Sequence, residues 1–192
     1  MASWLEDHLE YNKNNESPDY FHVWAGLFAI AAQLGRRVWL TQGYRVVFPN
    51  MYICLVAPSA IVRKGPPRDI VAAMIADART SAIFIPQRLS STSMLIHKMM
   101  QGVHSDKVGE ELVTRTKPTI ICADELSSVL NSMTMNDGIT DALNSCYTCP
   151  PNYDYSSFSR GDEIVPEPCI NILACTTPTW IRKNLKKEVM DE

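Results

Sequence analysis

The sequence predicts a mixed α/β fold: a mostly parallel sheet and its helices in three layers, preceded by a small helical element. Three observations predict it. Short segments rich in Ile, Val, Cys and Ala recur at about 51–56, 82–85, 118–123 and 169–175 with little polar alternation, as strands do when both faces of a parallel sheet are covered. Helical windows separate them at about 66–79, 91–101, 125–133 and 137–145, which suits right-handed crossovers between parallel strands. The chain has 192 residues, 46% of them apolar, enough to bury the core of one α/β domain with a small appended element.

Residues 1–49 read as the helical element. Trp4, Leu5, His8 and Leu9 share one face of a short helix. NKNNESPD is a polar break, and Tyr20 to Leu34 is a long apolar helix with Gly35 as its natural C-cap. Arg36 and Arg37 follow at the end of the helix that favours positive charge. VWLTQGYRVVFPN has strand composition around a Gln42-Gly43 turn, as a hairpin leading into the core would. The core itself spans 50–192. Within it, Pro150 to Pro168 is rich in aromatic residues, Ser and Asp, and reads as an excursion or β-hairpin projecting from the sheet.

Eighteen basic residues against 21 acidic give a net charge of -3. Nucleic-acid contact would therefore need a local patch. No apolar run approaches the roughly 20 residues of a membrane span, and MASWLEDHLE lacks signal-peptide character. Cys54, Cys122, Cys169 and Cys175 fall in segments read as core strands, where a free thiol acts as a small hydrophobe. Cys146 and Cys149 form a lone CYTC without the second ligand pair that a structural zinc site uses.

Chemistry centres on Met51 to Pro67, MYICLVAPSAIVRKGPP: a buried strand, a tight loop, a lysine and an abrupt helix start. A phosphate-binding loop has this order. Backbone N–H groups, the positive end of the next helix and a lysine together hold the phosphates. The candidate loop residues are Ser59, Ala60, Ile61, Val62, Arg63, Lys64 and Gly65, with Pro66 and Pro67 in the first helical turn. Ala57, Ala60 and Val62 stand where glycines would let the backbone wrap closely, and Gly65 where a hydroxyl would hold magnesium. The competing reading is an ordinary strand-to-helix connection with a solvated Arg-Lys pair.

Downstream, TIICADE ends an apolar strand in two adjacent carboxylates. In an NTPase the first, Asp124, positions magnesium, and the second, Glu125, polarises the attacking water. Alternatively the pair caps the helix beginning LSSVL. CINILACTT is a third buried strand, with Thr176 and Thr177 at its tip. That tip would sit between the other two elements and sense the γ-phosphate, or the threonines would cap the helix around TWIRKNL. The three elements in this order predict a P-loop NTPase core.

These segments resemble the helicase-like, or primase-helicase-like, P-loop ATPases of phage and prophage replication. The resemblance covers nearly the whole chain: SPDYFHVWAGLFAIAAQLGRRVWL before the core, PNMYICLVAPSAIVRKGPPRDI around the first strand, ADELSSVL, YDYSSFSRGDEIVPEP, and INILACTTPTWI as the sensor strand. It implies Lys64 as the phosphate-loop lysine, Asp124 and Glu125 as the magnesium and water carboxylates, and Thr176 or Thr177 as the sensor. It also implies ATP and Mg²⁺ as cofactors and single- or double-stranded DNA as partner. The working form would be a homo-oligomeric ring in the cytoplasm of a bacterium or phage-infected cell, with no membrane.

Two departures qualify what is expected. Gly65 replaces the magnesium-binding hydroxyl, and the sequence stops at VMDE before the segment expected to carry an arginine finger and a final core strand. The expectation is ATP binding, with hydrolysis weak or dependent on a missing segment or a neighbouring subunit. The isolated chain is expected to be monomeric or weakly associating, with Arg160 and Arg182 as first candidates for a finger supplied in trans. The alternative is a non-enzymatic interaction or assembly module retaining a degenerate NTPase fold. For DNA, Arg182, Lys183, Lys186 and Lys187 form the best basic cluster and Tyr153, Tyr155 and Phe158 the best stacking surface. The plain alternatives are a solvated helix face and an aromatic side folded onto the core. His8, His22, His97 and His104 read as packing or surface residues.

Overall fold

A computed structural model describes residues 3–59, 61–78, 82–86, 91–108, 110–130, 138–158 and 161–184. Two helices come first, α1 (Trp4–Asn12) and α2 (Asp19–Leu34), followed by a ribbon of β1 (Leu40–Gln42) and β2 (Arg45–Val47). The core continues with β3 (Tyr52–Val56), α3 (Gly65–Asp77), β4 (Ile83–Pro86) and α4 (Thr92–Met100). Next are β5 (Val103–Val108), β6 (Glu111–Thr116), β7 (Thr119–Ala123), α5 (Ser127–Leu130) and α6 (Ile139–Tyr147). The last described elements are β8 (Asn152–Ser157), β9 (Gly161–Pro166), β10 (Ile170–Thr176) and α7 (Pro178–Asn184).

Four strands form the central sheet in the order β3-β10-β7-β4, every neighbouring pair parallel. Alternate residues of each strand feed opposite cores, because strand side chains alternate between faces. Leu173 and Cys175 of β10, with Leu55, Ile120 and Cys122, pack beneath α2 and α3 on Phe21, Ala25, Phe28, Val71 and Ile75. Ile170, Ile172 and Ala174, with Ile85, Ile121 and Ala123, pack on the other face against Leu95, Ile96, Met99, Val129, Ala142 and Leu143 from α4, α5 and α6. Each large apolar side chain fully buried here stabilises the fold by about 1.5–3 kcal/mol. Of the unalternating runs seen in the sequence, β7 and β10 are buried along their whole length, whereas the edge strands β3 and β4 keep exposed residues such as Val56 and Phe84.

Local signals explain the ends of several elements. Ser3 and Glu6 close a reciprocal capping box on α1. Gly35 ends α2 at φ +51°, and its N–H reaches Ala31 O at 3.0 Å. A Cβ there would lie 2.6 Å from Pro118 Cγ, so glycine is required twice over. The expected hairpin at the Gln42-Gly43 turn forms β1 and β2, with Gln42 opposite Arg45. The expected excursion forms β8 and β9, with Ser157 opposite Gly161.

Some expectations are corrected. The β5–β6 hairpin, pairing Val103 with Thr116, was not anticipated from the sequence. Cys54 is exposed and not a core thiol, whereas Cys122, Cys169 and Cys175 are buried. Of the window 125–133, Ser127–Leu130 is helical, and 131–137 lies outside the described residues.

Candidate functional site

Parallel strands bring their C-terminal ends to one edge of the sheet, and the three motifs meet there. Thr176 pairs with Val56 and Ala174 with Ala123, so the tip of β10 stands between the loop after β3 and the acids after β7. Backbone hydrogen bonds tie the three together: Ala57 N–H to Thr176 O at 3.2 Å, and Leu126 N–H to Cys175 O at 2.7 Å. The order β3-β10-β7 delivers the arrangement expected of the third strand.

The loop is held from both sides. Arg63 pairs with Glu16, and Ser17 Oγ donates to Arg63 O, so the polar break between α1 and α2 braces the loop from below. Cys175 Sγ donates to Lys64 O at 3.2 Å. Lys64 is the N-cap of α3 and half-buried, with no ion pair among the described residues. Ser59 and Ile61 are exposed, Val62 is half-buried against the α2–α3 core, and Ala60 lies outside the described residues. Gly65, Pro66 and Pro67 open α3. Two prolines remove two of the N–H groups that a helix start otherwise offers an anion.

Arg68, not anticipated as a site residue, organises the acidic side. It sits one helical turn after Lys64 with its side chain only 7% exposed, and its guanidinium is ion-paired to both Asp69 and Asp124. The contact to Asp124 is a charge contact and not a well-angled hydrogen bond, since Nη1 has no hydrogen-bond partner. Strand alternation puts Asp124 on the α3 face, following Ile120 and Cys122. A sequence signal existed: Lys64 and Arg68 are four residues apart, and positions i and i+4 share a helix face.

Glu125 is half-buried, without an ion pair among the described residues, and neither acid lies in the first turn of α5. Although Cys54 as a whole is exposed, partial desolvation of its thiol and then the Glu125 charge raise that thiol to about 11. Burial likewise lifts Cys175 to about 11, an effect that Arg68 and Lys64 oppose. Thr177 Oγ1 accepts from Trp180 N–H at 3.2 Å and so caps α7. Thr176 is fully buried, and its Oγ1 has no partner among the described residues. Alternation places Thr176 with Ile172 and Ala174, on the sheet face away from α3.

In this arrangement the residues do not fit a divalent metal. Asp124, expected to position magnesium, is engaged by a buried guanidinium, and Gly65 brings no oxygen. Among the described residues no other set of His, Cys, Asp or Glu converges to hold a metal ion.

Outside the edge, Tyr153 and Tyr155 pack half-buried on the α4–α6 core, and Tyr155 Oη bonds Ser93 Oγ at 2.7 Å. Of the three aromatic residues, Phe158 alone stands fully exposed. Arg182 and Lys183 are exposed in the last turn of α7, whereas Arg160, Lys186 and Lys187 lie outside the described residues. No protein-family model matches the chain, and a comparison with curated proteins finds no match.

Proposed function

We propose that this chain is a nucleotide-binding module of the P-loop type, taking ATP at the C-terminal edge of its sheet. Its role would lie in phage-type DNA replication, as in the helicase-like ATPases its sequence resembles. One observation carries the reading: the loop after β3 that leads to Lys64, the tip of β10 and the Asp124-Glu125 pair follow neighbouring parallel strands, with β10 between the other two and Cys175 Sγ bonded to Lys64 O. Lys64 would meet the outer phosphates, and Glu125, without an ion pair among the described residues, would face an attacking water. Pro66, Pro67 and the engaged Asp124 support binding with weak turnover. They equally favour the second reading, an interaction or assembly module that keeps the fold without the chemistry.

Calorimetric titration with ATP in excess Mg²⁺ separates the possibilities when wild type is compared with Lys64→Ala. We expect measurable binding by wild type and a loss of about tenfold or more in the variant, since a charged phosphate contact in a partly buried site contributes roughly 1.5–3 kcal/mol. Binding by neither protein removes the nucleotide reading. Equal binding by both removes the role given to Lys64. Phosphate release at rates above a heat-inactivated control would exclude the module without chemistry.

A further inference from the structure

We infer that Arg68 takes the place of the divalent metal at Asp124, so that the site binds nucleotide phosphates without Mg²⁺. The inference rests on the nucleotide reading above and specifies the charge chemistry of that site. Arg68 is a fixed cation: its side chain is 7% exposed, against 56% for Asp124 and 63% for Asp69. A metal ion seeking Asp124 must displace that guanidinium. Displacement would leave buried Arg68 with only the largely exposed Asp69 as partner, and a buried charge that loses one of its partners is destabilised.

Among the described residues Glu125 keeps a neighbouring carboxylate without an ion pair, but the helix start adds no ligand that would offset that penalty. Gly65 contributes no hydroxyl, and Pro66 and Pro67 contribute no N–H to a metal–phosphate cluster. The charges of Arg68 and Lys64 both reach Cys175, whose Sγ bonds Lys64 O. Lys64 at the helix start and Arg68 one turn deeper therefore form a two-cation ladder along one flank of α3. A guanidinium is permanently charged and presents five donors. It can answer Asp124 and Asp69 and still contribute field to a phosphate at the helix start.

The test is ATP affinity, read calorimetrically, in excess Mg²⁺ and again in excess EDTA. Wild type should bind with affinities within about threefold of each other in the two conditions. Arg68→Met, which preserves much of the buried volume while releasing Asp124, should become about tenfold or more tighter with Mg²⁺ than with EDTA. Wild-type binding tenfold tighter with Mg²⁺ would overturn the inference and leave the nucleotide reading standing. An Arg68→Met protein that binds equally in both conditions would overturn the role assigned to the guanidinium. Absence of binding in every condition would overturn the nucleotide reading together with this one. Should Arg68→Met fail to fold, the wild-type comparison and Arg68→Lys, expected to stay Mg²⁺-independent, decide the matter.

Discussion

Arg68 and Asp124 make opposite demands on a mutation, depending on what the acid is for. A carboxylate kept free for a metal is relieved when neutralised, so Asp124→Asn would leave stability unchanged or raise it. In this fold Asp124 balances a buried guanidinium, and its removal should destabilise. Breaking a fully buried pair costs roughly 3–5 kcal/mol. Because the Asp124 side chain is 56% exposed, solvent screening lowers the expectation to about 1–2 kcal/mol. Glu125→Gln, at a half-buried acid without an ion pair among the described residues, should stay within about 0.5 kcal/mol. Urea denaturation of the two variants measures both, and a silent Asp124→Asn would refute the pairing. Lys64 and the acid pair were legible because strand ends and helix starts announce themselves in sequence. Arg68 left only its four-residue spacing from Lys64 as a signal, since its main partner lies 56 positions away by numbering (124 minus 68).

At the scale of elements, the junction of α1 and α2 carries a pH dependence. His8 stacks on Trp4 at 5.3 Å and lies 6.1 Å from His22, both histidines buried. Gly26 lies against this junction, where a Cβ would come 3.1 Å from His8 Cδ2 and 2.8 Å from the movable Leu5 Cδ1. Burial lowers the His8 pKa, an effect that the His22 backbone opposes. It also lowers that of His22, where the charge of His8 adds and Asp19 opposes. Both depressed groups bind fewer protons folded than unfolded below the ordinary value of 6.5. Stability is therefore full above pH 6.5 and falls as pH drops through that value toward the folded pKa values. Thermal melts at pH 7.5 and 5.5 should show a lower midpoint in acid, and the difference should shrink in His22→Phe. An equal drop in that variant would place the effect elsewhere. The sheet strands were legible as short apolar runs, a pattern that burial on both faces explains for β7 and β10, while the edge strands β3 and β4 keep it despite exposed Cys54 and Phe84. The β5–β6 hairpin was not: its residues are mostly exposed or half-exposed, as with Leu112, so packing imposed no pattern on them.

For the whole molecule, topology and charge decide what DNA contact to expect. The parallel order β3-β10-β7-β4 gathers the polar strand ends along one edge, while net charge stays at -3. No pattern along the chain specifies which strands neighbour each other; that follows from packing α2 and α3 on one face and α4 to α6 on the other. Long-range attraction to a polyanion is therefore small, and local cations must supply the binding. Among the described residues the α7 pair Arg182 and Lys183 offers such cations, and Phe158 offers one ring for stacking. Non-specific binding of this kind lies at about 10⁻⁴ to 10⁻⁶ M at physiological salt. Two phosphate contacts on a single strand predict a slope of about -1.4 for log K against log salt. Fluorescence anisotropy with a labelled oligothymidine across a salt series gives both numbers. We expect micromolar or weaker affinity with that shallow slope, and a several-fold loss on Phe158→Ala, because a stacked base contributes about 1–3 kcal/mol. Nanomolar binding with a slope several-fold steeper would mean that a larger cationic surface assembles, and would count against α7 and Phe158 as the contact.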